Sequence, residues 1–272
     1  FKINIKQAQL LFDQHKFDEL EPMLERLVAS CFQANGKEDP MKSHLLIELY
    51  ALQIQLYSEQ NNMRKLQQLC GRVNFADRNI SHPRVLGVIM QSSGKVKLLS
   101  SDFMGAKNDF FDSFKSFDEA VLPERVDALK LVILAHMLSG SKIDIFQGQE
   151  VKSYQTHPDL VPIYKLYVAF NEFRVRDFLD DLQATGAGFA EHPFIKTYVP
   201  VLIETLQKNL LLRLVGCFKR IKLSFLAEKL ILPEKDVELL MLRMIFDGTL
   251  QAKIDQFDRY LMITEAATTV AQ

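Results

Sequence analysis

For about two hundred residues from Lys2, apolar side chains recur every three or four positions, so most of this chain must form helices that bury one face against a neighbour. Ile5, Ala8 and Leu11 or Phe12 make a first stripe. After a polar break at Asp13 to Lys16, Phe17, Leu20, Leu24, Leu27 and Cys31 make a second. Asn35-Gly36 and Asp39-Pro40 mark a loop. Leu46, Leu49, Tyr50, Ile54 and Tyr57 predict a third helix, and Met63, Leu66 and Leu69 a fourth. Beyond His82-Pro83 come Val85, Leu86, Val88, Ile89, Val96 and Leu99, then Phe103, Ala106, Phe110, Phe111 and Phe114. That last stripe, a small residue followed by aromatics, matches a tetratricopeptide-like hairpin, in which the small side chain lets the next helix approach. Val126, Leu129, Ile133 and Met137 follow, ended by Ser139-Gly140. Leu160, Ile163, Tyr164, Tyr167 and Phe170 then pair with Val175, Phe178, Leu179 and Leu182, and Gly186-Ala187-Gly188 closes the pair. Such hairpins bury their faces only by stacking, which predicts a mainly α fold with a TPR-like α-helical solenoid over residues 1–192.

The remaining residues, 193–272, read differently. His192-Pro193 opens a connector helix with Phe194, Tyr198, Val201, Leu202, Leu206, Leu210 and Leu214 on its apolar side. Pro200 lies inside it and predicts a kink. From Ser224 to Met262 the order is short helix, Leu232-Pro233, second helix, Asp247-Gly248, then a change of period to two. Ser224 is expected to cap the first helix, Pro233 to sit in the first turn of the second, and Gly248 to end it in the left-handed conformation. In Thr249 to Asp255, Leu250, Ala252 and Ile254 point one way, and Thr249, Gln251 and Lys253 the other. A turn at Gln256 to Asp258 lets Tyr260 to Ile263 pair back. Helix, turn, helix and β-hairpin make a C-terminal winged-helix subdomain. The tail from Thr264 to Gln272 is small and polar and is expected to fray.

Chemistry is hard to find. The six histidines are scattered, with no His-Glu-x-x-His, and His82, His157 and His192 each precede proline, which reads as helix boundary rather than ligand. Gly94-Lys95 has Val96 where a phosphate loop needs Ser or Thr, and the preceding Gly87 is at the wrong spacing. Cys31, Cys70 and Cys217 form no Cys-x-x-Cys pair and read as reduced thiols of a cytosolic or nuclear protein. An enzyme is not expected, nor a cofactor or metal. No apolar run is long enough to span a membrane. Because residue 1 is Phe, the chain is expected to be an internal piece with sequence upstream.

Nucleic acid is a poor partner. Lys plus Arg number 33 against 34 for Asp plus Glu, and the second winged helix begins Glu234-Lys235-Asp236-Val237-Glu238, which repels phosphate. Lys219, Arg220 and Lys222, with Lys208 and Arg213 upstream, form a candidate anion or partner patch on the connector. The stronger candidate is the edge strand Thr249, Leu250, Gln251, Ala252, Lys253, Ile254 and Asp255, whose unpaired backbone groups a neighbouring protein can extend.

Helical hairpins feeding a winged helix through a long connector resemble the PCI domain, a scaffold module of the proteasome lid, the COP9 signalosome and a translation initiation factor. Tyr50 to Tyr57, Ile80 to Lys95, Asp109-Phe110-Phe111 with Phe114, Phe117-Asp118-Glu119, Gln149 to Lys152 with Tyr154, Asp236-Val237-Glu238 and Ile254-Asp255-Gln256 are similar to the second-subunit family of the signalosome. The related lid subunit shares the Phe-rich hairpin and the winged helix but is less like His82 to Lys95 and Gln149 to Tyr154. The resemblance implies a non-catalytic scaffold in a complex that removes a ubiquitin-like protein from cullins, using a zinc site on another subunit. It implies other PCI subunits as partners, joined edge to edge through Thr249 to Asp255. It also implies contact with a cullin-RING ligase through upstream repeats. The alternatives are a proteasome lid scaffold and, in a different class, a nucleic-acid-binding winged helix.

Overall fold

The helical period becomes helices throughout the computed structural model, which describes residues 2–32, 39–60, 62–72, 82–141, 144–184, 193–255 and 257–263. The chain divides into two compact units, Phe1–Glu150 and Val151–Gln272. The first holds α1 (Lys2–Asp13), α2 (Phe17–Ala29), α3 (Ser43–Glu59), α4 (Met63–Arg72), α5 (Pro83–Leu99), α6 (Phe103–Glu119) and α7 (Arg125–Ser139). The glycines of the expected loops at 35–36 and 186–188, the 80–81 end of one similar stretch, His192, Gln256 and the 264–272 tail lie outside the described residues.

In the first unit α3 packs against α1, α2, α4 and α5. It is therefore apolar on almost every side, and Leu46, Leu49, Ile54 and Leu56 join Ile5, Ala8, Leu20, Leu24 and Leu66 in one core. On α5 the buried face differs from the predicted stripe. Leu99 is half exposed, and the buried residues are Gly87, Ile89, Met90, Ser92, Ser93, Gly94 and Leu98.

Sterics explain the shift. Gly87 and Gly94 lie two helical turns apart, and α6 sets Phe117 against the first and Phe110 against the second. A Cβ added to Gly94 would sit 2.6 Å from the Phe110 ring. The small residues that allow close approach thus include these α5 glycines as well as the buried Ala106 of α6. Polar groups in the same interface are paired: Ser113 Oγ donates to the Gly87 carbonyl at 2.7 Å, and Ser93 Oγ to Asp109 Oδ2 at 2.6 Å. The Lys97 ammonium lies 2.7 Å from the same carboxylate oxygen.

The helices stop with little help from glycine. His15, Ser101, Val121, Phe173 and Ile231 take left-handed backbone with φ between 53° and 61°. In each case the next N–H reaches back five residues: Lys16 to Leu11, Asp102 to Lys97, Leu122 to Phe117, Arg174 to Ala169, Leu232 to Ala227. This satisfies carbonyls the helix leaves open, at the expense of a backbone conformation that side-chain-bearing residues resist. Gly140 after α7, with φ 63°, is the expected glycine stop. His82 and His157 act at boundaries as expected, their Nδ1 atoms accepting from Arg84 N–H at 3.3 Å and Asp159 N–H at 3.4 Å.

The second unit begins with α9 (Val161–Asn171) and α10 (Val175–Ala184), after the short α8 (Gln149–Lys152) at the sequence boundary. Phe170 and Phe178 meet edge to face, with centroids 5.9 Å apart. α11 (Pro193–Val215) buries Ile195, Leu202, Leu206, Leu211 and Val215, whereas Val201, predicted on this side, faces outward. The helix is continuous through the exposed Pro200, where solvent can reach the carbonyl left without its donor.

Three outcomes follow from this packing. Gly94→Ala is expected to lower unfolding free energy in urea by about 1–3 kcal/mol through overpacking against Phe110. Val121→Gly, at an exposed left-handed position, is expected to raise it by about 1 kcal/mol in the same assay. Burial, with a smaller contribution from Asp109, pushes the Cys70 thiol up to about 11. That contribution to stability is present below the ordinary value of 9.0 and is lost as pH rises through about 11. Iodoacetamide at pH 8 is therefore expected to modify the exposed Cys217 first, and buried Cys31 and Cys70 only after denaturant is added.

Candidate protein-interaction surface

The winged helix forms because α12 (Leu223–Leu230) and α13 (Glu234–Phe246) each carry one apolar face over a small sheet. Leu223, Leu226, Leu230, Val237, Leu240, Met241 and Met244 close a core with Leu211, Ile221, Leu250, Ala252 and Leu261. Ser224 does not cap α12. Leu223 is drawn into the core and its N–H donates to the Arg259 carbonyl at 3.0 Å, so the helix starts one residue early, straight from a strand. Lys222 holds the N-cap position without a side-chain bond. Pro233 occupies the N-cap of α13 rather than its first turn, and Gly248, at φ 71°, follows its end as predicted.

The sheet has three strands where the sequence predicted two. β1 (Arg220–Lys222), β2 (Ala252–Asp255) and β3 (Tyr260–Ile263) lie in the order β1-β3-β2, both pairs antiparallel. Arg-Ile-Lys offers a single apolar residue, too short a signal for period-two analysis, yet Ile221 is buried and its neighbours exposed. The two predicted patches consequently sit at opposite edges of one sheet. Arg220 and Lys222 lie in β1, not on the connector, and Thr249 to Asp255 leads into and forms β2.

The predicted edge is shorter than expected. The N–H groups of Thr249 and Leu250 both donate to the Met244 carbonyl, at 3.0 and 3.1 Å, and Thr249 Oγ1 adds a third bond at 2.9 Å. They finish α13 and offer no open donor. Gln251 is exposed but precedes the strand.

Register decides the rest. The N–H of Ile263 bonds to Lys219 and that of Leu223 to the Arg259 carbonyl, so odd-numbered residues of β3 turn their backbone to β1. Even-numbered Tyr260 and Met262 turn theirs to β2, where their partners are Asp255 and Lys253. Ala252 and Ile254 are left with N–H and C=O groups facing outward. Among the described residues no strand lies beyond β2. The side chains alternate as predicted: Ala252 is buried and Ile254 packs on the core, while Lys253 is exposed.

At the other edge the basic residues are engaged. The Arg220 guanidinium lies 3.3 Å from Asp258 and stacks 4.0 Å from the Tyr260 ring, over which the Lys222 ammonium sits at 5.8 Å. Lys219 contributes its carbonyl to Ile263. On α13, Glu234 pairs with Arg259 at 2.9 Å, and Lys235 and Asp236 are exposed. Leu239, Leu242 and Phe246 line its outer face, where a DNA reader would carry donors; sequence analysis did not single them out. Among the described residues no cluster of His, Cys, Asp or Glu could hold a metal ion, and no helix is long and apolar enough to cross a membrane.

This geometry agrees with what the chain is similar to. Residues 182–265 match the PCI domain. Over 99% of its length the chain is 33% identical to COP9 signalosome complex subunit 2 of Dictyostelium discoideum, covering 60% of that protein. It is 34% identical over 94% to the Caenorhabditis elegans subunit 2, covering 52% of it, and 32% identical over 100% to the Drosophila melanogaster subunit 2, covering 61%. A 26S proteasome non-ATPase regulatory subunit 11 homolog of Arabidopsis thaliana is 24% identical over 97% of the chain, covering 62% of that protein. The chain thus spans between about half and three fifths of the curated relatives it matches.

The register carries its own test. Lys253→Pro should cost about 1–3 kcal/mol of stability, by removing a bond inside the sheet and orphaning its acceptor. Ala252→Pro, at the first strand residue with its N–H outward, should cost clearly less. Equal losses in urea melts would contradict the assignment of outward groups. Residues 182–265 are thus similar to the PCI domain, and the chain is similar along nearly its whole length to COP9 signalosome subunit 2 proteins.

Proposed function

We propose that this chain is a non-catalytic scaffold component of a complex of the COP9 signalosome type. Within it, the helical repeats of residues 1–192 form an arm, and residues 193–272, the connector and winged helix, form the assembly module. The open edge of β2 joins the winged-helix sheet of another PCI subunit by adding a strand. The arm reaches a cullin-RING ligase, and the complex removes a ubiquitin-like protein from cullins through a zinc site on a different subunit. The chain works in cytoplasm and nucleus. The observation that carries this reading is the outward N–H and C=O groups of Ala252 and Ile254 on a strand whose core side is already closed. Backbone pairing of that kind needs no particular partner sequence and suits a module repeated among subunits.

A proteasome lid role is the less favoured reading, since the lid relative is 24% identical against 32–34% for three of the signalosome relatives. The acidic and apolar exposed face of α13 disfavours a duplex-binding role.

The test is affinity capture with the tagged chain from cell extract. Signalosome PCI subunits are expected to co-purify with it, and Ala252→Pro to reduce their recovery while lowering the melting temperature less than Lys253→Pro does. Recovery of proteasome lid subunits in their place would overturn the assignment. Undiminished recovery with Ala252→Pro would overturn the strand-addition joint.

A further inference from the structure

The open edge of β2 carries its own charge pattern. Lys253 and Asp255 project from the outer face of the sheet on either side of Ile254, which packs on the core from the inner face. Lys253 is exposed, and among the described residues its ammonium has no ion pair or hydrogen bond. Its cross-strand neighbour on β3 is the uncharged Met262. Asp255 Oδ1 accepts the N–H groups of Phe257 and Asp258 at 3.1 and 3.2 Å, which holds the turn. Its other oxygen takes no bond among the described residues.

A free cation on an edge strand ordinarily discourages pairing. The carboxylate two residues on reverses that effect for one occupant, a second copy of the same edge. Antiparallel pairing of two β2 edges must set outward-facing backbone against outward-facing backbone, so it is centred on Ala252, Lys253 or Ile254. Centred on Ala252, it runs into Leu250, whose N–H is already committed to the Met244 carbonyl at 3.1 Å. Centred on Lys253, it brings two ammonium groups face to face.

Only the register centred on Ile254 is free of conflict. There the N–H and C=O of Ile254 exchange two bonds with the same groups of the other copy. On the outer face each Lys253 lies opposite the other copy's Asp255. These are non-hydrogen-bonded pairs, with Cα atoms about 4.5 Å apart and side chains close. On the inner face the half-buried Ile254 side chains meet each other. The contact is isologous, so it closes at two copies.

We propose that a second copy of this chain pairs with the β2 edge in that register, held by two backbone hydrogen bonds and two Lys253–Asp255 ion pairs. Few bonds and a small contact area make the dimer weak, with a dissociation constant above roughly 10 µM. The edge is therefore open in dilute chain, and a subunit that adds its strand there competes with the second copy. The dimer rests on the register of β2 and not on the signalosome role proposed above, so either can fail without the other.

Sedimentation equilibrium of the 272-residue chain tests it, over concentrations from about 1 to about 500 µM. A reversible monomer–dimer equilibrium is expected. Lys253→Glu should weaken it at least about tenfold, because carboxylates then face each other twice. Lys253 has no partner to lose, so the folded monomer tolerates this change. Asp255→Asn keeps an acceptor for the turn but removes both ion pairs, and should weaken the dimer about threefold. An equimolar mixture of the two variants should associate more tightly than either alone, since Lys253 of one copy again meets Asp255 of the other. A chain that stays monomeric throughout would overturn the proposal. So would a dimer indifferent to Lys253→Glu, or a mixture no tighter than its components.

Discussion

Backbone N–H and C=O groups that leave water must find partners, and much of this chain's architecture follows from that demand. Helices meet it internally except at their ends. Here five ends close by turning a side-chain-bearing residue into the left-handed region, so that the next N–H can return to a carbonyl five residues back. Strands meet it only through neighbours. The three-stranded sheet of the winged helix satisfies β3 on both sides and leaves β1 and β2 each with one outer row. Ala252 and Ile254 are where the second unit has backbone capacity left over on the β2 side.

The same demand separates the proposed site from its surroundings. Thr249 and Leu250 look like strand in sequence, since Leu250 continues the alternation of Ala252 and Ile254. Their N–H groups instead converge on Met244, because the carbonyls at the end of α13 need donors. The proposed joint is therefore short. Within it, side-chain alternation and backbone direction are locked together: the residues whose side chains face the core are those whose backbone faces outward. Core packing by Ala252 and Ile254 thus fixes which backbone groups face outward from β2.

Most of the fold was legible because it rests on the three-to-four residue period, and Leu20, Leu24, Leu49, Phe110, Ile133 and Phe178 are buried as that period requires. What the period could not show depends on geometry between elements. Gly87 and Gly94 carry no hydrophobic signal, yet they set how closely α5 and α6 approach. β1 has too few residues for any periodicity. The stop signals at His15, Val121 and Phe173 use residues that propensity rules exclude. The candidate edge strand was found by its alternation, while its true extent needed the register.

Amide hydrogen exchange tests the central claim, assembly through the β2 edge, most directly. In the free chain the amides of Ala252 and Ile254 are expected to exchange much faster than those of Lys253 and Asp255, which bond within the sheet. On binding an isolated PCI subunit of a signalosome, Ala252 and Ile254 should become protected while Lys253 and Asp255 change little. If they are already protected in the free chain, or remain unprotected in the complex, the strand is not the joint.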